Sequence, residues 1–361
     1  MKKIIYFILI LCMMLALVAC GKDKEEEETT PEETTPEETT TREPLTEEDY
    51  RRYGVDELNS APILMYHRIY DMKNSETEYT GGNVDVDGYN RTAEAFEADL
   101  EYYYAHGYRM VRLTDYLDGY VDVPLGYSPI MITFDDGLQD TEGAEVHEDG
   151  SVTFSPNSAI GILERMKAKY PDFNVTATFF LNIELFNDEK GQDEAIIKWM
   201  VENGYDIGNH TANHYMIPDL TADEIEEEVG RVYKRLEEII PGQYVNIIAL
   251  PFGYPTDTSA DEKYEKLFNG TYEGFTYHTK ATLLCSWMRE NSPFSTGFDL
   301  TYVKRIRGYD NNGEDFDIEY NFNELENGTK YISDGDPNTI VIHKEDEEWL
   351  GETYGHEVIM Y

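Results

Sequence analysis

The stretch Ile130-Met131-Ile132-Thr133-Phe134-Asp135-Asp136-Gly137 decides how this chain is read. Pro129 precedes it, and an unbroken apolar run ends in two adjacent carboxylates and a glycine. A short continuous apolar run of this kind is a strand buried on both faces, as in parallel sheets covered by helices. Two neighbouring carboxylates at a strand end repel each other, and a divalent cation resolves the conflict. Consecutive side chains diverge, so Asp135 and Asp136 play different parts: one ligates, the other stays free. Further along, His210-Thr211-Ala212-Asn213-His214 supplies two imidazoles. At i and i+4 these converge on one ion if the segment is helical or tightly turned. Two imidazoles and one carboxylate form a facial set with positions left for water and a carbonyl oxygen. Zinc suits that set, and cobalt, nickel, iron and manganese accept the same ligand types.

The segments around this strand alternate between short apolar runs and amphipathic stretches. Strands are expected at Ile63–Tyr66, Ile130–Phe134, Val175–Leu181, Tyr205–Ile207, Val245–Leu250, Phe275–Tyr277, Val303–Ile306, Thr339–Ile342 and His356–Met360. A helix begins at Asn90 or Thr92 and carries Phe96, Leu100 and Tyr103 or Tyr104 on one face; another starts at Asn157 or Ser158. The strongest helix signal spans residues 221–240. Thr221 and Glu224 form a capping box, and Ile225, Val229, Val232, Leu236 and Ile239 recur at helical spacing. This alternation predicts a parallel α/β fold with about seven or eight units, closed or nearly closed into a barrel. No glycine-rich phosphate loop follows an early strand, so nucleotide binding has no support. In such a fold reactive groups gather at the C-terminal ends of strands. Asp135, Asp136, His210, Phe252, His343 and His67 all occupy such positions.

The residues then carry a family resemblance. Thr133-Phe134-Asp135-Asp136-Gly137 resembles the first motif of the polysaccharide deacetylases (NodB homology, carbohydrate esterase family 4), and His210-Thr211-Ala212-Asn213-His214 resembles the second. The opening Pro62-Ile63-Leu64-Met65-Tyr66-His67 resembles the branch that acts on poly-N-acetylglucosamine and related cell-surface glycans. The resemblance spans roughly residues 60 to 345. It implies a distorted (β/α) barrel of about seven parallel strands. It also implies roles: Asp135 as general base; Asp136, His210 and His214 as metal ligands; Phe252, with Pro251 in the same motif, as the oxyanion-binding turn; and His343 as general acid. His67 either lines the pocket floor or packs as a core histidine. Two departures stand out. Ala249 occupies the place of an arginine that in many members touches the catalytic aspartate, which makes Arg305 or Arg307 candidates to bring a cation to the rim. The Asp-rich fourth motif has no counterpart around Trp287 or Trp349, leaving Asp310 as a candidate for part of it.

The front of the chain is of another kind. Residues 1–20 read as a lipoprotein signal: Lys2 and Lys3, an apolar run to Val18, then Leu17-Val18-Ala19-Cys20, with Cys20 as the lipidation site. Residues 21–60 read as an acidic, disordered tether built on PEETT repeats. Residues 61–361 form the catalytic domain. These features predict a protein on the extracytoplasmic face of the membrane, held there by its lipid. The formal net charge of −44 repels nucleic acid and other polyanions. The expected activity is metal-dependent hydrolysis of N-acetyl groups on an N-acetylglucosamine-containing glycan. The alternatives are O-acetyl ester hydrolysis on acetylated xylan and glycan binding without efficient turnover.

Overall fold

The computed structural model describes residues 45–137, 143–186 and 191–361. The signal segment, Cys20 and most of the expected tether lie outside the described residues. The last part of that tether does not behave as one. Residues 45–361 form one compact unit, and it begins with helix α1, Glu47–Tyr53. Thr46 caps this helix in a capping box with Asp49, and Tyr50 and Val55 are buried against Val341 and Tyr361. The acidic composition continues into α1, but Tyr50 and Val55 give this stretch apolar surface to bury, which the PEETT repeats lack.

The centre is a curled, half-barrel-like parallel sheet. Its seven strands in chain order are β1 Ile63–Tyr66, β2 Ser128–Phe134, β3 Thr178–Leu181, β4 Asp206–Asn209, β5 Ile247–Ala249, β6 Ala281–Leu283 and β7 Ile306–Arg307. In space they run β6-β5-β4-β3-β2-β1-β7, every pair parallel. A short strand, Tyr108–Met110, pairs with the start of β2. The sheet curls until its edges approach each other. A parallel bridge joins Leu283 of β6 to Val303, just before β7, and Leu284 N–H donates to Val303 O at 2.8 Å.

Side chains alternate across these strands. One set, with Leu64, Ile130, Ile132, Phe134, Phe179 and Ile207, packs outward against helices α2 Ala93–Ala105, α3 Ala159–Lys169 and α4 Asp193–Glu202. The other set, with Ile63, Met131, Phe180, Ala249, Leu283 and Val303, fills the inside of the curl. Thr92 caps α2 and Ser158 caps α3. Helix α5, Ala222–Ile239, carries the expected Thr221–Glu224 capping box and buries the anticipated apolar stripe, together with Glu228 and Tyr233.

Several expected strands fall elsewhere. Phe275–His278 pairs antiparallel with Asn269–Tyr272 as a hairpin, and the sixth barrel strand is Ala281–Leu283 instead. The polar stretch after β2 contains the hairpin Ala144–Val146/Val152–Phe154. The last two strands, β8 Thr339–Ile342 and β9 Glu357–Met360, pair with each other in a separate parallel ribbon.

Candidate metal centre and active site

Strand alternation aims the reactive groups. Met131, Thr133 and Asp135 share one parity on β2, as Ile63, Met65 and His67 do on β1 and beyond it. Both series face the inside of the curl, so Asp135 and His67 arrive at its C-terminal mouth from neighbouring strands. Asp136 is one residue further, and its backbone turns into the left-handed region (φ 75°). Gly137 continues that turn at φ 60°, where an added Cβ would lie 2.2 Å from Leu185 O. Only glycine fits there, and the turn swings the Asp136 carboxylate towards the two histidines.

His210 and His214 are not on a helix. Thr211 and His214 both adopt left-handed φ, 61° and 54°, so the segment is a tight turn. Hydrogen bonds to its backbone hold that costly geometry. Asn209 Oδ1 accepts from Thr211 N–H at 2.8 Å. The buried Glu228 of α5 accepts from Asn213 N–H at 2.7 Å, and its backbone carbonyl accepts from Ala212 N–H. Asn182, just after β3, donates to the carbonyls of His210 and Thr211 at 2.9 Å each.

The result is a donor set suited to a cation. One ligand atom each from Asp136, His210 and His214 lies within 4.8 Å of the others. Asp136 Oδ1 is 3.1 Å from His210 Nε2 and 3.4 Å from His214 Nε2. His210 Nδ1 is 2.7 Å from Ala249 O. A carbonyl only accepts, so Nδ1 carries a proton and Nε2 is the nitrogen that faces Asp136 and a bound cation. Burial lowers the His210 imidazole, but Asp135 and Asp136 more than reverse this, so the 3.1 Å gap between Nε2 and the carboxylate calls for a positive charge, a proton or a metal ion. Burial pushes the Asp136 carboxyl up, but His210, His67 and His214 reverse this and hold it far below the usual carboxylate range.

Asp135 is kept out of that set by an arginine. Arg305 Nη1 and Nη2 donate to Asp135 Oδ1 and Oδ2, both at 2.7 Å, in a forked pair. The guanidinium is fully buried, and it also donates to Thr133 Oγ1 and Leu284 O. Burial would raise the Asp135 carboxyl; Arg305, His210 and His67 together more than reverse this and keep it ionised. The missing arginine at Ala249 is thus replaced in space, from the approach to β7. Arg307, the other sequence candidate, turns away: its guanidinium is sandwiched between Trp287 and Tyr309, with centroids at 4.1 and 3.9 Å.

A cavity of about 240 Å³ collects these groups. His67, Asp135, Asp136, His210 and His214 line it, with Phe252, Cys285, Tyr89 and Asn90. Phe252 lies at left-handed φ, and its half-exposed ring meets the His214 ring edge-on at 4.6 Å. Pro251 beneath it is buried. Burial pushes the Cys285 thiol up to about 11, which makes it a poor nucleophile. Burial also lowers the His67 imidazole, opposed by Asp135 and Asp136. Asp310 is not at this centre; its carbonyl anchors Thr80 and Asn83 of the loop after β1.

His343 is the expectation the structure overturns. It follows β8, whose ribbon lies outside the barrel sheet, so the end of that strand is not on the barrel rim. Its Nε2 is 3.2 Å from the Tyr361 hydroxyl, which donates to Val55 O in the chain leading into the start of β1. That is the opposite end of β1 from His67. Besides the two donor-set histidines, the imidazole that shares the cavity with Asp135 is His67. The sequence signal for it was its place directly after a buried strand.

Comparison with known proteins agrees with this site. Residues 123–267 match the family model for polysaccharide deacetylase. That segment is similar to the polysaccharide deacetylase family. The matched segment holds Asp135, Asp136, His210, His214 and Phe252, while His67 and Arg305 lie outside it. No curated protein matches the chain. Among solved structures, it is similar to the Streptococcus pyogenes deacetylase PplD in complex with acetate, at 20% identity over 69% of this chain and 92% of that one, with a TM-score of 0.50. It is also similar to a de-N-acetylase from Aggregatibacter actinomycetemcomitans at 14% identity, covering 69% and 94% with a TM-score of 0.45. The BpsB deacetylase domain from Bordetella bronchiseptica gives 13% identity, 70% and 97% coverage, and a TM-score of 0.45.

Proposed function

We propose that this protein is a metal-dependent hydrolase that removes N-acetyl groups from an extracellular or cell-surface glycan containing N-acetylglucosamine, releasing acetate. One observation carries the reading: an arginine-clamped carboxylate and a two-histidine, one-carboxylate donor set open on the same cavity. Asp136, His210 and His214 would hold one divalent ion, and zinc fits two imidazoles and a carboxylate. That ion supplies Lewis acidity, polarising the acetyl carbonyl and making a water more acidic.

The chain's own groups do the rest. Asp135, ionised and fixed in orientation by Arg305, takes a proton from the attacking water. Phe252, on a left-handed turn that lines the cavity, would offer its backbone N–H to the negative charge that develops on the acetyl oxygen. His67 delivers the proton that the departing sugar amine needs, the part expected of His343. An amide is the harder bond because its amine leaves poorly without that proton, so an imidazole facing the cavity favours the amide over the ester reading. The Arg305–Asp135 clamp likewise favours turnover over mere glycan binding.

The test is acetate release from N-acetylglucosamine oligomers, poly-N-acetylglucosamine and peptidoglycan by the zinc- or cobalt-loaded protein. Turnover that vanishes in Asp135→Asn while bound metal persists supports the reading. Wild-type turnover in Asp135→Asn removes Asp135 as the base.

Residues 1–44, outside the described region, carry the expectation of export and of lipid attachment at Cys20. We propose that the enzyme works at the outer face of the cell membrane, where its glycan substrate lies.

A further inference from the structure

A second cavity of about 540 Å³ adjoins the first, sharing Asp136 and His214 but neither His67 nor Asp135. Its volume falls in the range of small-molecule sites. Asn182, Glu184, Asn213 and Tyr215 supply its side-chain polarity. The hydrogen bonds of the two amides settle what they offer. Asn182 Nδ2 spends both hydrogens on the carbonyls of His210 and Thr211, and Asn213 Nδ2 gives one of its two to Glu228 Oε1. Asn182 is left with its carbonyl oxygen alone to present, and Asn213 with its carbonyl oxygen and one N–H. Glu184 adds a carboxylate on the exposed part of the wall. Tyr215, 53% exposed, adds a ring face. The wall is therefore rich in acceptors, carries one negative charge and has an aromatic face. Hydroxyls and an ammonium group satisfy such a wall, whereas an N-acetyl carbonyl, itself an acceptor, gains nothing from Glu184 or Asn182.

We infer that this cavity holds the sugar next to the one being cleaved, and that it prefers a neighbour whose amine is already free. The inference rests on the proposed hydrolase reading and extends it to substrate pattern: the enzyme favours glycan strands that are already partly deacetylated. The product of one turnover is the ligand this cavity suits, so successive events cluster along a strand. The excess of acidic residues over the whole chain draws such cationic strands in.

Two measurements test this on the full, metal-loaded chain. The first compares KM for a fully acetylated N-acetylglucosamine tetramer with KM for the same tetramer carrying free amines at units flanking an acetylated one. The wild type is expected to show a KM about two- to fivefold lower for the partly deacetylated tetramer, the range of a solvent-exposed charge pair. The ratio should fall to one in Glu184→Gln and in about 1 M salt, where the Debye length shrinks to about 3 Å. A ratio of one in the wild type, or one unchanged by Glu184→Gln, overturns the inference. The second measures calorimetric binding of a glucosamine tetramer, which carries no acetyl group, to metal-loaded Asp135→Asn protein with and without Glu184→Gln. Glu184-dependent binding with no acetate release from any substrate sinks the hydrolase reading and leaves the cavity's preference standing. Acetate release with no Glu184-dependent binding does the reverse.

Discussion

Replacing Arg305 by methionine probes the most deeply buried charge in the site. Arg305 is 0% and Asp135 1% exposed, and two 2.7 Å bonds join them. Methionine fills much of the arginine stem but leaves the Asp135 carboxylate without its fork of donors. Removing one partner of a buried ion pair costs about 3–5 kcal/mol, because the surviving charge is uncompensated. The base would also lose its orientation, so turnover should fall about 10²- to 10⁴-fold, the usual worth of a positioned acid or base. The stability claim has its own control. In Asp135→Asn/Arg305→Met neither charge remains, so the double variant should be more stable than the sum of the single losses by at least about 1 kcal/mol. Urea unfolding of the four proteins at neutral pH, metal-free and zinc-loaded, reads these terms. Additive losses, or an Arg305→Met protein with wild-type stability and turnover, would refute the clamp. Arg305→Lys should fall between, since an ammonium restores charge but not the fork.

Three further outcomes are expected. His67→Gln should lower kcat about 10²- to 10⁴-fold while His343→Gln leaves it unchanged; the opposite pattern returns the acid role to His343. Glu290 is buried beside Lys304, and burial raises its carboxyl to about 7 despite Lys304. The folded state therefore holds that proton more tightly than the unfolded chain. The Glu290 contribution to stability is fully present below about pH 4.5 and is lost as pH rises to about 7, a loss of at most roughly 3 kcal/mol. Glu290→Gln should lose this slope, and unfolding curves for the two proteins that stay parallel from pH 4.5 to 8 would contradict it. Cys20→Ser should release the exported protein from the membrane fraction into the medium, and continued membrane retention would point to an uncleaved anchor.

The elements that the sequence made legible are those whose signal is local. The apolar run of β2, the capped and striped α5, and the spacing of His210 and His214 each specify themselves within a few residues. The Arg305–Asp135 pair does not. It joins residues 170 apart in sequence across the curl of the sheet, and no local pattern says which of Arg305 and Arg307 turns inward. Strand parity decides only that both start on one face; the aromatic slot of Trp287 and Tyr309 then captures Arg307. His343 failed as a site residue for a related reason. A four-residue run such as Thr339–Ile342 reads the same whether it joins the barrel or pairs with Glu357–Met360 beside it. The left-handed turns at Thr211 and His214 were also hidden, because bonds from Asn182, Asn209 and Glu228 to this segment enforce them rather than glycines. The capping box of α1 was readable at Thr46–Asp49, but the acidic composition around it masked the signal.

The central claim is that one ion sits among Asp136, His210 and His214 with Asp135 free beside it. Metal content per chain, measured alongside acetate release, tests this for the wild type, Asp136→Ala, His210→Ala, His214→Ala and Asp135→Asn. The account predicts one tightly bound divalent ion and turnover in the wild type, neither in the three ligand variants, and the ion without turnover in Asp135→Asn. A folded wild type that takes up no divalent ion, or ligand variants that keep it, would contradict the account.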